Sequence, residues 1–292
     1  MLRALKSALN QEYKNLELII IDDSSTDNTE DIIKSFSGKR IRYYRQRDNK
    51  GGSVARNICI KLAKGELIAF QDSDDKWLPK KLKRQVAKFS EVGGDVGVIC
   101  CGYEFINDKT NEVVSRSIPV ERGNVYKIML INNYTGPLAV LMKADCFSKV
   151  GLFDETLPCC HDWDLWIRVS KYYKFDYVPG ILAKAYIHGK QLSTNLEVKI
   201  KGKEEIFQKY REEVTKEPLF CRIYLMGLYL QYSMVGDVKG RKHLINVLKL
   251  YPFHLKGYVH LCFSLLVPWI CRKVLMLHYN KSKNGIKYYT TD

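Results

Sequence analysis

Leu16-Glu-Leu-Ile-Ile-Ile-Asp-Asp-Ser-Ser-Thr-Asp-Asn-Thr29 and Gly65-Glu-Leu-Ile-Ala-Phe-Gln-Asp-Ser-Asp-Asp-Lys-Trp-Leu-Pro79 decide how this chain folds. In both, a short apolar run stops abruptly on aspartates. Residues 16–21 are Leu and Ile interrupted by a single Glu, the pattern of a strand buried on both faces. Residues 67–70 read as a second buried strand. Working outward, Asp27 and Glu30 have capping-box spacing and open a helix. Residues 41–44 form another short strand, and 54–64 a helix stopped by Gly65. Pro79 opens a basic amphipathic helix to about residue 92, and 96–101 is strand again. Strands alternating with helices imply crossover units and a mostly parallel sheet. In such sheets ligands bind beyond the carboxyl ends of the strands. Asp22-Asp23 and Asp72-Ser73-Asp74-Asp75 both stand there.

The chemistry of that placement is specific. A nucleoside diphosphate leaving group accumulates negative charge as its bond to a sugar breaks. Hard divalent cations neutralise such charge and take carboxylate oxygens. Two aspartates separated by one residue on an extended turn can present their oxygens to one cation and a neighbouring ribose. In isolation the same residues also suit a solvated turn before Pro79. Asp22-Asp23 with Ser24, Ser25 and Thr26 likewise suits turn and cap chemistry.

The wider pattern resembles the family 2 glycosyltransferases, which have the GT-A fold. The resemblance rests on the two stretches above, on Gly52-Ser-Val-Ala-Arg-Asn57 and Leu82-Lys-Arg-Gln85, and on Gly151-Leu-Phe-Asp-Glu155 and His161-Asp-Trp-Asp-Leu-Trp-Ile-Arg168. It covers roughly residues 1–195, with the motifs in the family's order. It implies that Asp23 reads the nucleotide base, normally uracil, and that Arg56 approaches the nucleotide. Asp72 and Asp74 match the DxD pair, with Asp74 or Asp75 as direct ligand of a divalent metal (Mn²⁺ or Mg²⁺). His188, in Ile187-His-Gly-Lys-Gln-Leu-Ser-Thr194, falls where family members place a His near the diphosphate and metal. Asp162 matches the catalytic base of an inverting transfer. The family has Glu-Asp where this chain has His161-Asp162, and the histidine could still orient the acceptor. Asp162 also suits an N-cap, and Asp164 is a second candidate base. Trp163 and Trp166 read as core, although one could stack on an acceptor sugar. Family members begin with a further central strand and loop, absent here; without that strand the edges of two buried strands are exposed.

Residues 102–195 read as mixed, with a helix at 164–172, and residues 196–292 as a helical extension. The expected architecture is a GT-A-type α/β domain with that extension. The 292 residues carry a net charge of +15, densest near 80–84, 199–203 and 272–287. No zinc-finger spacing or RNA-binding aromatic signature accompanies it, so nucleic acid ranks behind phosphorylated ligands and anionic membrane. Nine cysteines without a CxxC pair read as buried small hydrophobes. The N-terminus reads as an amphipathic helix rather than a signal peptide. The apolar run 259–271 is too short to span a bilayer and could lie in its interface or pack on the domain. The chain is expected to be cytoplasmic, peripheral at the inner face of the cell membrane. Its expected partners are a nucleotide-sugar donor and a saccharide or lipid-linked acceptor. The implied function is sugar transfer from a UDP-sugar to an acceptor hydroxyl in surface polysaccharide or glycolipid assembly. The alternative is a non-catalytic sugar-nucleotide-binding protein or an inactive fragment.

Overall fold

A computed structural model of the chain describes residues 1–36, 40–189 and 195–266, with the backbone of 286–288. Helix α1 (Leu2–Leu9), strand β1 (Leu18–Asp22), α2 (Thr29–Lys34), β2 (Ile41–Arg45), α3 (Gly52–Leu62), β3 (Leu67–Ala69), β4 (Lys76–Trp77) and α4 (Lys81–Glu91) follow in order. β1 and β2 pair in parallel, from Leu18 opposite Ile41 to Asp22 opposite Arg45, so the expected β1–α2–β2 crossover forms. The expected capping box does not. Asp27 accepts the Thr29 N–H at 3.1 Å, while Glu30 pairs with Lys34 and Arg45 at 2.7 and 2.5 Å.

The middle of the chain supplies β5 (Val96–Asn107), β6 (Val113–Ile118), α5 (Tyr126–Met129), β7 (Leu141–Lys143), α6 (Asp145–Val150), α7 (His161–Ser170) and β8 (Lys174–Ile187). β5 is the spine. It lies parallel to β8 along its length and antiparallel to β7 and then β6. β3 pairs with β7 and β4 with β8, both antiparallel. The sheet is therefore mixed rather than mostly parallel, a correction to the sequence reading. An apolar run signals burial, not direction, and β6 returns from β5 through a hairpin with Asn111 in the left-handed region at φ 57°.

β1 and β3 each have one edge with no described partner strand, as the sequence led us to expect. β1 is only half-buried, not enclosed on both faces, because it belongs to a two-stranded sheet. α4 also departs from a simple basic face. Lys81 is fully buried, donates to Gln85 Oε1 at 2.8 Å and lies 4.5 Å from the centre of the Trp77 ring. Burial pushes its amine down to about 8.

Five further helices follow: α8 (Leu196–Lys209), α9 (Arg211–Thr215), α10 (Pro218–Val235), α11 (Arg241–Leu250) and α12 (Leu255–Leu266). Ile206, Phe207, Tyr224 and Leu228 pack in one core with Trp163, Leu165 and Trp166 of α7. The helical extension thus forms the far wall of the core that carries α7. No helix among the described residues is long and apolar enough to cross a membrane. Residues 37–39, 190–194, 267–285 and 289–292, with most of the basic segment 272–287, lie outside the described residues, as do the side chains of 286–288.

Candidate active site

The turn between β3 and β4 carries the acidic cluster, closed by Asp75 N–H donating to the Asp72 carbonyl at 3.2 Å. Its three carboxylates diverge. Asp72 accepts from the Arg56 guanidinium of α3 in a short ion pair. Asp74 Oδ2 lies 3.0 Å from His188 Nε2, just beyond β8. Asp75, expected beside Asp74 as a metal ligand, is turned inward, where its Oδ1 accepts the Tyr186 N–H at 3.1 Å. Burial, reinforced by the charges of Asp72 and Asp74, pushes the Asp75 carboxyl up to about 8. β4 pairs Trp77 with Ala183 and Lys76 with Lys184, which draws the end of β8 alongside the turn. The meeting of His188 with Asp74 is thus a product of sheet register.

At the end of β1, Asp22 is buried and structural. It accepts from Ser25 N–H and Tyr43 Oη, both at 2.8 Å. Burial acts to raise its carboxyl, but these donors outweigh it and hold the group below the usual aspartate range. Asp23 accepts from Gln46 Nε2, Lys50 N–H and Gly51 N–H at 2.8, 2.8 and 2.7 Å. It therefore shapes the loop entering α3, where Gly51 takes a left-handed φ of 91° that a side chain would strain. That loop sets the start of the helix carrying Arg56.

Asp162 lies in the first turn of α7. It is not the N-cap: the helix starts at His161, and its N-cap is Cys160, in the left-handed region at φ 63°. Asp162 Oδ2 accepts from Asn133 Nδ2 at 2.9 Å. Burial raises its carboxyl above the usual aspartate range, with Asn133 and the Arg56 charge opposing the shift. Arg56 itself is held more firmly protonated: burial acts against its charge, and Asp72 and Asp162 outweigh that. One guanidinium therefore links the DxD turn to the candidate base.

The neighbours of Asp162 are structural. His161 Nε2 lies 2.8 Å from the Leu157 carbonyl, which ties the ring to the preceding loop. Asp164 is fully buried and accepts from Arg168 Nε at 2.9 Å, Tyr210 Oη at 2.7 Å and Lys209 Nζ at 2.8 Å. These partners hold it in the core. Trp163 donates to the Met129 carbonyl at 2.6 Å and stacks on Tyr224 at 5.8 Å, and Trp166 is fully buried. Both are core, so neither is free to stack on a sugar. Gly202 of α8 packs so tightly on the loop before α7 that a Cβ there would lie 2.4 Å from Cys159 Sγ.

Several contributors had no sequence signal. Asn133 lies in a loop with no motif. Arg3 of α1 donates through Nε to the Asp74 carbonyl at 3.1 Å, pairs with Asp108 at 3.0 Å and stacks on the Tyr186 ring. Ser7 of the same helix accepts the Trp77 N–H at 3.1 Å and the Gln71 side-chain N–H at 2.8 Å. Asn57, within a motif but without an assigned role, donates to the Phe153 carbonyl and to Glu155 at 3.0 and 2.7 Å and accepts the Phe153 N–H at 2.9 Å. It binds α3 to the Gly151–Glu155 segment.

Among the described residues no three His, Cys, Asp or Glu side chains converge as a complete cation site. Asp74 and His188 form a two-donor set. Nucleotide-associated divalent cations are commonly held by one or two protein ligands, with substrate phosphates completing the shell. The pair fits a cation that arrives with its nucleotide, and does not fit a protein-caged ion.

Comparison with known proteins gives the family. The family profile "Glycosyl transferase family 2" matches residues 1–155. An uncharacterised glycosyltransferase of Rickettsia typhi is 30% identical over 226 residues, 75% of this chain and 70% of that protein. The Escherichia coli UDP-Glc:alpha-D-GlcNAc-diphosphoundecaprenol beta-1,3-glucosyltransferase WfgD is 29% identical over 240 residues, 81% of this chain and 88% of its own. Among solved structures, S. aureus TarS 1-349 superposes with a TM-score of 0.59 at 17% identity, over 99% of this chain and 89% of that one. The Pyrobaculum calidifontis mannosyltransferase PcManGT, in complex with GDP-Man and Mn²⁺, gives 0.52 at 13% identity, over 94% and 82%. The GT-A-type architecture with its helical C-terminal region stands, and the chain belongs to glycosyl transferase family 2.

Proposed function

We propose that this chain transfers a sugar from a UDP-activated donor to an acceptor hydroxyl by single displacement, with inversion at the anomeric carbon. The observation that carries this reading is Arg56, whose guanidinium is paired to Asp72 and also acts on the raised carboxyl of Asp162. The charge of Arg56 thus acts on both a nucleotide-side acid and the candidate base. A carboxyl raised toward the working pH is the better general base, because it takes a proton more readily. Asp162 receives the acceptor proton, with Asn133 fixing the orientation of its carboxylate. Asp23 and the loop it shapes receive the nucleoside. Asp74 and His188 hold a divalent cation together with the donor diphosphate. When bound, that cation supplies charge neutralisation at the leaving group. Asp75, turned inward, maintains the turn from beneath.

A lipid-linked saccharide is the acceptor class we favour, since WfgD is by its name an undecaprenol-diphosphate enzyme. The enzyme then works at the inner face of the cell membrane.

The test is a thermal-shift panel of UDP, GDP, CDP and dTDP, each with and without Mn²⁺. Ligand at a hundred times its dissociation constant adds about 2.7 kcal/mol of stability, a shift of several degrees. A Mn²⁺-dependent shift with UDP, lost in Asp74→Asn, is the expected result. A GDP-only shift would overturn the donor assignment, and no shift with any nucleotide would overturn the donor site.

A further inference from the structure

Helix α12 is built inside out. Its inward face is small and polar: Gly257 and Ser264 are its buried residues. A Cβ at Gly257 would lie 2.7 Å from His254 Nδ1 and 2.8 Å from Leu248 Cδ2 of α11, so a larger residue would require these side chains to shift. The backbone of α12 is held from the protein side, with Tyr229 Oη donating to the His260 carbonyl at 3.1 Å and Arg241 donating to the Ser264 carbonyl. Its large apolar side chains point the other way. Leu255, Val259, Phe263 and Leu266 fall on one stripe at helical spacing and are 77%, 54%, 49% and 79% exposed. Phe253, just before the helix, is 95% exposed. Water is a poor medium for such a face, and contiguous exposed apolar surface marks a contact with protein or membrane.

Charge decides which. From residue 238 to residue 291 the sequence has ten Lys or Arg and no Asp or Glu. Lys242 and Lys249 are exposed on α11, and Lys256 is exposed on α12 next to Leu255 in the sequence. A second copy of this chain would bring like charges together. An anionic lipid surface would meet both the cations and the apolar side chains. We propose that the outer face of α12, with Phe253 and the exposed lysines of α11 and α12, seats on an anionic phospholipid bilayer without crossing it. This surface is separate from the transfer site, and its evidence is independent of any acceptor.

The test is vesicle flotation of the full chain, with phosphatidylcholine alone and with phosphatidylcholine mixed with phosphatidylglycerol. The expected result is binding to the anionic vesicles, weakened by salt. Val259→Asp combined with Phe263→Asp should abolish it with the melting temperature kept, because both side chains are exposed in the free protein. Lys249→Gln and Lys256→Gln should each weaken partitioning about five-fold. Absence of binding to anionic vesicles overturns the proposal, as does binding that the double aspartate variant retains. Self-association lost in that variant, without vesicle binding, assigns the face to a second copy instead. The nucleotide thermal shift is expected to be the same in wild type and double variant, so failure here leaves the donor site standing.

Discussion

The acidic turn after β3 and the first turn of α7 each carry two aspartates separated by one residue, with opposite outcomes. On the extended turn, Asp72 and Asp74 both remain part-exposed, one paired to Arg56 and the other beside His188. On the helix, a step of two residues turns a side chain about 200° around the axis. Asp162 therefore meets Asn133, while Asp164 points into the core and is fully buried among Arg168, Lys209 and Tyr210. The same spacing gives two functional candidates on a turn, and one candidate with one structural strut on a helix.

Substitutions can break that contrast. The largest effect is expected from Asp162→Asn, which should lower kcat about 10²- to 10⁴-fold with donor binding retained, as loss of a general base does. Normal turnover would remove Asp162 from the mechanism. Asp164→Ala should act on stability instead. It removes a fully buried carboxylate from the half-buried Arg168 and the buried Tyr210 hydroxyl and should cost about 3 kcal/mol, read as a lower urea midpoint. A soluble Asp164→Ala protein of wild-type stability but without activity would reverse the two roles. Tyr210→Phe removes a single donor to the same carboxylate and should cost about 1.5–3 kcal/mol.

Two smaller effects concern protons. Asp75 has a folded-state carboxyl pushed up to about 8 from an ordinary 3.8, so the folded protein favours its protonated form. Its stabilising contribution is fully present below the ordinary value and is lost as pH rises through about 8. Without nucleotide or cation, Asp75→Asn should flatten the fall in melting temperature between about pH 5 and about pH 9; parallel curves would show that the carboxyl is ionised throughout. Asn133 donates to the Asp162 carboxylate and thereby lowers its pKa. Asn133→Ala should shift the acid limb of kcat/KM to higher pH, and an unmoved limb would separate that limb from Asp162.

Much of this was legible in the sequence, and the misreadings share a cause. Strand and helix positions through α4 followed from local periodicity and from breakers such as Gly65 and Pro79, which act within a few residues. Sheet direction did not, because an apolar run carries no polarity. The basic run at 80–84 read as a charged face, yet Lys81 is core, since burial depends on what lies above the helix. Arg3 and Asn133 had no signal, because a side chain that reaches across the fold leaves no local pattern.

The sequence by itself determined the α/β class from its periodicity, and its resemblance to the family's motifs implied the candidates Asp23, Arg56, Asp72, Asp74, Asp75, Asp162 and His188. Only the tertiary structure decided that Arg56 pairs with Asp72, that Asn133 reaches Asp162, and that Asp75 turns inward while Asp74 meets His188. It alone decided that Asp164 is a strut and that α12 shows its apolar side to the outside. Each of these depends on which segments meet in space, and strand register and helix rotation fix that through contacts between residues far apart in sequence.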